Sequence, residues 1–151
     1  MTNRLINALW CDDIRQEIDN KLSLMGIYTN GITIPSLPIV LPRLAVYVKI
    51  TTAIDNPFKK LILKIIRDDG FILATLQQDT LDDFIQDKPR NPDATKMEAI
   101  IVVTLNSIEI PEGCKYFQIL AETESESLDG SKLRIDVNPD IFPVMPNNNA
   151  E

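Results

Sequence analysis

A chain of 151 residues that is 44% hydrophobic is long enough to bury one core and short for two ordinary domains. Its net charge of −7 repels phosphate backbones and anionic lipids, and no apolar run approaches the ~20 residues of a membrane helix. The chain has no histidine, which removes the usual general base near neutral pH and the commonest metal ligand. We therefore expect no nucleic-acid partner, no membrane, no catalytic residues, no cofactor and no metal.

The cysteine content indicates the compartment. Cys11 and Cys114 are the only cysteines, and the N-terminus shows no basic-then-apolar secretory pattern. Thiols stay reduced in the cytoplasm, where disulfides are rare. We expect a cytoplasmic protein with two free thiols.

The stretch CDDIRQEIDNKLSLMGIYTNG, residues 11–31, fits two structures. On a helix, Asp13 would cap the N-terminus, and Ile14, Ile18 and Leu22 would form an apolar stripe. On a β-hairpin, one strand ends near residue 16 and the next begins near residue 21, with a turn between them.

The hairpin is the preferred interpretation. Asp19 and Asn20 tolerate turn geometry, and the segment that follows alternates between apolar and polar residues. It also carries Gly26, and a glycine inside a strand marks a bulge or a close backbone approach. Neighbouring strand residues point to opposite faces, so Asp12 and Asp13 would not act on one substrate atom. We expect one of them to face the rim and the other the side of Arg15, with an Asp–Arg or Glu–Arg interaction that fixes the strand end.

A period of two predicts strands through most of the remaining chain. Residues 97–110 are apolar on both faces, which is typical of a central strand, and the prolines of residues 35–42 indicate an edge or crossover. Asp69-Gly70 predicts a hairpin with a type I′ turn, in which both central residues need positive φ. The residues expected to point into the core are Leu44, Val46, Val48, Ile50, Leu133, Ile135 and Val137.

Residues 80–87 alone resemble a helix. Thr80 and Asp83 have capping-box spacing, and Leu81, Phe84 and Ile85 form a short apolar stripe. Seven to nine short strands with almost no helix predict an all-β fold, an antiparallel β-sandwich. We expect one domain over residues 1–140 and a flexible C-terminal tail over residues 141–151.

The chain also resembles a known family. The segments CDDIRQEIDNKLSLMGIY, IPSLPIVLPRLAVYVKI and IPEGCKYFQILAE, with an Asp-Gly hairpin and a final Leu-x-Ile-x-Val strand, are similar to small bacterial and phage-associated proteins catalogued as a domain of unknown function. The resemblance spans nearly the whole chain. It implies a single-domain immunoglobulin-like or C2-like β-sandwich, and it implies no activity.

Tandem aspartates are the candidate carboxylate sites, and two chemistries stay open for them. A C2-like sandwich binds calcium when loop aspartates converge, because calcium takes 6–8 oxygen ligands. A carboxylate-based hydrolase would need two carboxyl groups across a cleft. A turn or strand-end role is the simpler interpretation. Trp10 is expected to pack in the core or at an edge, and Cys11 is expected to be buried. The candidate residues are Asp12, Asp13, Asp68, Asp69, Asp82 and Asp83.

Surplus apolar residues indicate a candidate interface. If alternate residues of each strand point inward, Ile62, Ile66, Ile100 and Val102 point outward and would form a patch for a protein partner or a second subunit. The alternative is that the helix at 80–87 covers them.

Acidic residues concentrate in residues 79–95 and 109–130, which indicates either a solvated surface or a face for a basic partner. We expect a non-catalytic protein-binding or assembly module. A calcium module or hydrolase is one alternative, and an acidic decoy that inhibits a nucleic-acid-binding protein is another.

Overall fold

The computed structural model describes residues 3–78 and 91–141, which form two β-sheets packed face to face. The β-sandwich prediction is confirmed. The predicted helix at 80–87, with Asp82 and Asp83, lies outside the described residues, as does the predicted tail beyond residue 141. Within the described ranges, no helix has the length and apolar character needed to span a membrane.

The described residues contribute nine strands to the sandwich. One sheet has four strands in the order β2-β1-β4-β7, and the other has five in the order β3-β9-β8-β5-β6. All neighbours are antiparallel except β3 and β9, which run parallel. The strands are β1 (Leu5–Gln16), β2 (Leu22–Ile27), β3 (Ile32–Ile34), β4 (Ile39–Ala53), β5 (Leu61–Arg67), β6 (Ile72–Gln78), β7 (Lys96–Ile110), β8 (Tyr116–Thr123) and β9 (Ser127–Val137).

The N-terminal segment is the predicted hairpin and not a helix. β1 pairs with β2, and the connection turns at Asp19 and Asn20, whose φ angles are 64° and 57°. Gly26 has a φ of 66°, and a Cβ atom there would meet the Asp12 carboxylate. The interpretation of this glycine as a site of close approach is confirmed.

The core lies between the sheets and follows the predicted alternation. Leu44, Val46, Val48 and Ile50 of β4 are all buried, opposite Leu61, Leu63 and Ile65 of β5 and Phe117 and Ile119 of β8. Burying each such side chain contributes about 1.5–3 kcal/mol. Leu133 and Ile135 point inward as predicted, but Val137 is 50% exposed, because β9 ends there beyond the edge of the core.

The hairpin between β5 and β6 is confirmed, but its predicted turn type is wrong. Arg67 N donates to Phe71 O and Gly70 N donates to Arg67 O, which closes a loop of three residues. Only Gly70 in this loop has positive φ, at 86°. This is the pattern of a type I turn followed by a glycine bulge, which needs one left-handed residue and not two.

β7 is an edge strand among the described strands, so the prediction of a central strand is wrong. It pairs with β4 over its whole length, and no described strand pairs with its other side. The proline-rich segment is confirmed as a crossover, since β3 lies in one sheet and β4 in the other. Pro42 lies within β4, opposite Ser107, and this pair is missing from a register that is otherwise continuous on both sides.

Candidate functional site

The first aspartate pair fixes the end of β1. Asp12 accepts a hydrogen bond from the Tyr28 hydroxyl, and burial together with this carboxylate raises the pKa of Tyr28 above its usual range. Asp13 points elsewhere and lies 3.2 Å from the Arg43 guanidinium of β4. The two aspartates therefore have different neighbours, as predicted, although the ion-pair partner is Arg43 and not Arg15.

The second aspartate pair shapes the β5–β6 turn. Asp69 accepts hydrogen bonds from Arg67 and from the Phe71 backbone, and both lower the pKa of its carboxyl. Asp68 accepts from the backbone N–H of Lys115 at 3.0 Å, which ties the turn to the start of β8. Both carboxylates thus have structural partners.

The described residues do not bring these pairs together. Within residues 3–78 and 91–141, no group of three or more acidic or cysteine side chains is placed to hold a metal ion. The carboxylates of Asp12, Asp13, Asp68 and Asp69 each accept a hydrogen bond from the protein itself. The convergence on which the calcium interpretation depends is not seen among them.

The cysteines and the tryptophan are packed in the interior. Cys11 and Cys114 are free and buried, and burial and nearby aspartates raise both thiol pKa values, that of Cys114 to about 11. A thiol with a raised pKa is a poor nucleophile at neutral pH. Trp10 is 4% exposed, and its indole N–H donates to the Ser131 hydroxyl at 3.1 Å.

Arg4 is the most interconnected charged residue, and the sequence reasoning missed it. Its guanidinium is fully buried, lies 2.5 Å from Glu124 and 3.9 Å from Glu126, and stacks 4.7 Å from the centre of the Phe58 ring. It also donates to Thr52 in one sheet and Thr123 in the other. The Arg4 side chain therefore connects the two sheets at one end of the sandwich, and its role is structural.

The four predicted interface residues lie on two different sheets. Ile62 and Ile66 are half-buried on β5 of the five-stranded sheet. Ile100 and Val102 are 37% and 39% exposed on β7 of the four-stranded sheet. The outer faces of a sandwich point in opposite directions, so these residues do not form one patch.

The surroundings of the two pairs differ. Ile62 lies opposite Gln77 and Glu122, and Lys64 on the same face forms a 2.7 Å ion pair with Glu122. The outer face of β5 is therefore polar around Ile62. The outer face of the four-stranded sheet is apolar around Val102.

That apolar surface crosses three strands. Leu9 of β1 lies opposite Tyr47 of β4, which lies opposite Val102 of β7. Directly opposed side chains have Cβ atoms about 4.5–5.5 Å apart, so the row is continuous. Ile100 and Ile27 extend it on either side, and Leu9 and Ile27 are 45% and 46% exposed. We call Leu9, Ile27, Tyr47, Ile100 and Val102 the apolar face.

Two ion pairs border the apolar face. Lys49 lies directly opposite Ile100 and 3.4 Å from Glu98, and Arg43 and Asp13 lie 3.2 Å apart at the other end. An apolar centre with a polar rim is the usual anatomy of a protein-binding surface. Ile100 and Val102 were predicted as interface residues, but Leu9 and Ile27 were not, because only the strand order shows that they adjoin Val102.

One cavity of about 660 Å³ opens between the β5–β6 turn and the end of β7. Phe71 and Leu105 give it apolar walls, and Arg67 and Glu109 are the charged residues in its lining. The Arg67 guanidinium is already engaged, 2.9 Å from Asp69 and 4.2 Å from the centre of the Phe71 ring. Among the described lining residues, no cation is therefore free to hold an anionic ligand.

The chain was compared with known families, curated proteins and solved structures. A family model described as "Family of unknown function (DUF6941)" matches residues 7–136. This confirms the resemblance to a domain of unknown function. No curated protein and no solved structure matches the chain.

Proposed function

The chain belongs to this family of unknown function, and we propose from its surface that it is a non-catalytic protein-binding module that holds a partner on the apolar face. The observation that carries the proposal is the continuous row of Leu9, Tyr47 and Val102 on the outside of the four-stranded sheet, where Leu9 and Val102 are exposed and Tyr47 between them is half-buried. Contiguous exposed apolar surface with a polar rim marks interaction sites in soluble proteins.

The distribution of charge supports an apolar contact over an acidic one. In the acidic segment 109–130, Glu122 pairs with Lys64, and Glu124 and Glu126 lie against Arg4. Lys64 and Arg4 thus offset two of these three negative charges, which weakens the field that these carboxylates would present to a basic partner. Binding at the apolar face is therefore expected to persist at high salt, since apolar contacts are not screened.

Several other predictions from the sequence are not used to support this proposal. A cytoplasmic location, the absence of enzymatic activity and the immunoglobulin-like or C2-like subtype of the sandwich stay predictions. A calcium module would gain thermal stability with calcium, because a ligand that binds only the folded form stabilises it. A decoy would lose its partner steeply with salt.

Photo-crosslinking in the host tests the proposal. A photoreactive amino acid replaces Leu9 on the apolar face in one variant, and Ile62 on the opposite sheet in a matched control. We expect a crosslinked adduct of defined mass from position 9 and none from position 62. Equal adducts from both positions, or an adduct from position 62 alone, would show that the partner binds elsewhere.

A further inference from the structure

The free edge of β7 differs from the other sheet edges that the structure describes. β7 has 15 residues, whereas the edge strands β2, β3 and β6 have 6, 3 and 7. β2 is also interrupted by the positive φ of Gly26, and the pairing of β6 with β5 contains a register shift. Short strands and bulges discourage pairing between sheet edges, and the central part of β7 has neither device.

The backbone groups that β7 leaves free follow from its register. Ile54 N donates to Thr95 O at the start of the β4–β7 ladder, and these two residues lie directly opposite in the same register as the strands. Hydrogen-bonded pairs alternate along an antiparallel ladder, so the odd-numbered residues of β7, such as Ile101, bond to β4. The even-numbered residues direct their N–H and C=O groups to the free edge. In the middle of the strand they are Glu98, Ile100, Val102 and Thr104.

The free edge of β7 can face a second copy of itself without opposing like charges. Residues 99–108 carry no charged side chain and no proline or glycine. In an antiparallel pair of β7 strands centred on Ile101, Ile100 of each copy faces Val102 of the other, and Glu98 faces Thr104. No like charges stand opposite each other, although the whole chain carries −7.

We propose that β7 pairs antiparallel with β7 of a second copy of this chain, centred near Ile101, which joins the two four-stranded sheets into one continuous sheet of eight strands. The pairing satisfies the free backbone groups of the even residues and uses an isologous, two-fold interface that closes. It places Ile100 and Val102 of the two copies side by side, so that the two apolar faces become one surface.

This inference goes beyond the protein-binding function and is separable from it. Edge pairing uses the backbone N–H groups of β7, whereas partner binding uses the side chains of the apolar face. A change of Leu9, which is two strands away from the edge, affects only the second. Val102→Pro removes an N–H of the edge and also changes a side chain of the apolar face, so it is used to test the dimer and not partner binding.

Residue-resolved amide exchange at low and high protein concentration, with the mass in solution measured alongside, tests the pairing. At high concentration we expect a mass of two chains and slow amide exchange at Ile100 and Val102. At low concentration these two amides are expected to exchange rapidly. Ile101 and Val103, bonded to β4, exchange slowly at both concentrations. A single-chain mass throughout would overturn the proposal, and so would a dimer in which Ile100 and Val102 exchange rapidly.

Val102→Pro provides the matched substitution, since it removes one N–H that faces the free edge and none that bonds to β4. We expect a folded monomer over the same concentration range, while Val102→Thr, which keeps the N–H, remains a dimer. A folded Val102→Pro variant that still dimerises would overturn the pairing. If Val102→Pro does not fold, the exchange pattern of the unmodified chain decides whether β7 pairs with a second copy.

Discussion

At the scale of single residues, the Arg4 guanidinium shows how one buried charge connects both sheets. It is fully buried between Glu124 and Glu126, and it also donates to Thr52 and Thr123. Removing one member of a buried ion pair leaves the others desolvated without a counter-charge. The sequence around it, MTNRLIN, shows a lone arginine before a strand, which is usually a surface residue. Its partners come from the distant β4 and β8–β9 segments, so only the fold reveals its role.

Replacing this cation is predicted to destabilise the fold strongly. Arg4→Met should lower the free energy of unfolding by about 3–5 kcal/mol, because Glu124 and Glu126 lose their counter-charge in a partly buried site. Urea unfolding followed by circular dichroism measures the change. Arg134→Met is the control, since Arg134 is 66% exposed and pairs with Asp136 on the surface, and it should cost less than about 1 kcal/mol. Equal losses in the two variants would contradict the structural role of Arg4.

The same cluster predicts an acid-sensitive contribution to stability. Burial alone would raise the pKa of Glu124, but the hydrogen bond from Arg4 and backbone N–H donors outweigh it and lower the pKa to about 2. A carboxyl with a lowered folded-state pKa stabilises the fold above its unfolded pKa and loses that contribution as the pH falls. The loss is therefore expected between about pH 4.5 and pH 2.

Thermal melting across that pH window provides the measurement. The wild-type melting temperature should fall more steeply with acidification than that of Glu124→Gln, which cannot ionise. Parallel curves for the two proteins would show that Glu124 does not carry the acid sensitivity.

At the scale of elements, the β1–β2 hairpin depends on the close approach of Gly26 to Asp12. Gly26 and Gly113 both have positive φ, at 66° and 80°, which costs an alanine about 1–2 kcal/mol. A Cβ at Gly26 also meets the Asp12 carboxylate, whereas a Cβ at Gly113 meets nothing within 4 Å. Comparing alanine variants at the two glycines therefore separates the cost of backbone strain from the cost of the steric contact.

Gly26→Ala should destabilise the protein by about 1 kcal/mol more than Gly113→Ala, because Asp12 must move away from the Tyr28 hydroxyl. Unfolding free energies of both variants measure the difference. Adding Tyr28→Phe should shrink it, since the hydrogen bond is then already lost. A Gly113→Ala variant as unstable as Gly26→Ala would show that strain alone explains both.

Sequence patterns predicted an element correctly when the residues that form the pattern all lie within that element. The alternation of Leu44, Val46, Val48 and Ile50 located β4 and its buried face, and Asp69-Gly70 located a hairpin. The prediction of the turn type was wrong because an Asp-Gly pair occurs both in two-residue hairpin loops and in three-residue loops that end in a glycine bulge. The prediction that β7 is a central strand was wrong because a strand that is apolar on both faces has the same sequence pattern at the centre of a sheet and at an edge.

At the scale of the whole molecule, strand order decides which surface residues act together. Ile62, Ile66, Ile100 and Val102 were predicted as one patch, but β5 and β7 belong to different sheets. Leu9 joins Val102 only through Tyr47 on β4, which lies between them in the sheet and far from both in sequence. Periodicity shows that a residue points outward, and it carries no information on which strands are neighbours.

A substitution at the centre of the face should weaken partner binding. Leu9→Lys places a charge on the apolar row, and binding should fall roughly tenfold or more, as it does when a central interface contact is lost. Ile62→Lys, a matched change on the polar outer face of β5, should bind as the wild type does.

The measurement that tests the central claim most directly is quantitative capture of host proteins by wild type, Leu9→Lys and Ile62→Lys, each at low and high salt. The account predicts one stoichiometric partner that wild type and Ile62→Lys retain at both salt concentrations and that Leu9→Lys loses. A partner that Leu9→Lys retains, or that wild type releases at high salt, would contradict binding at the apolar face.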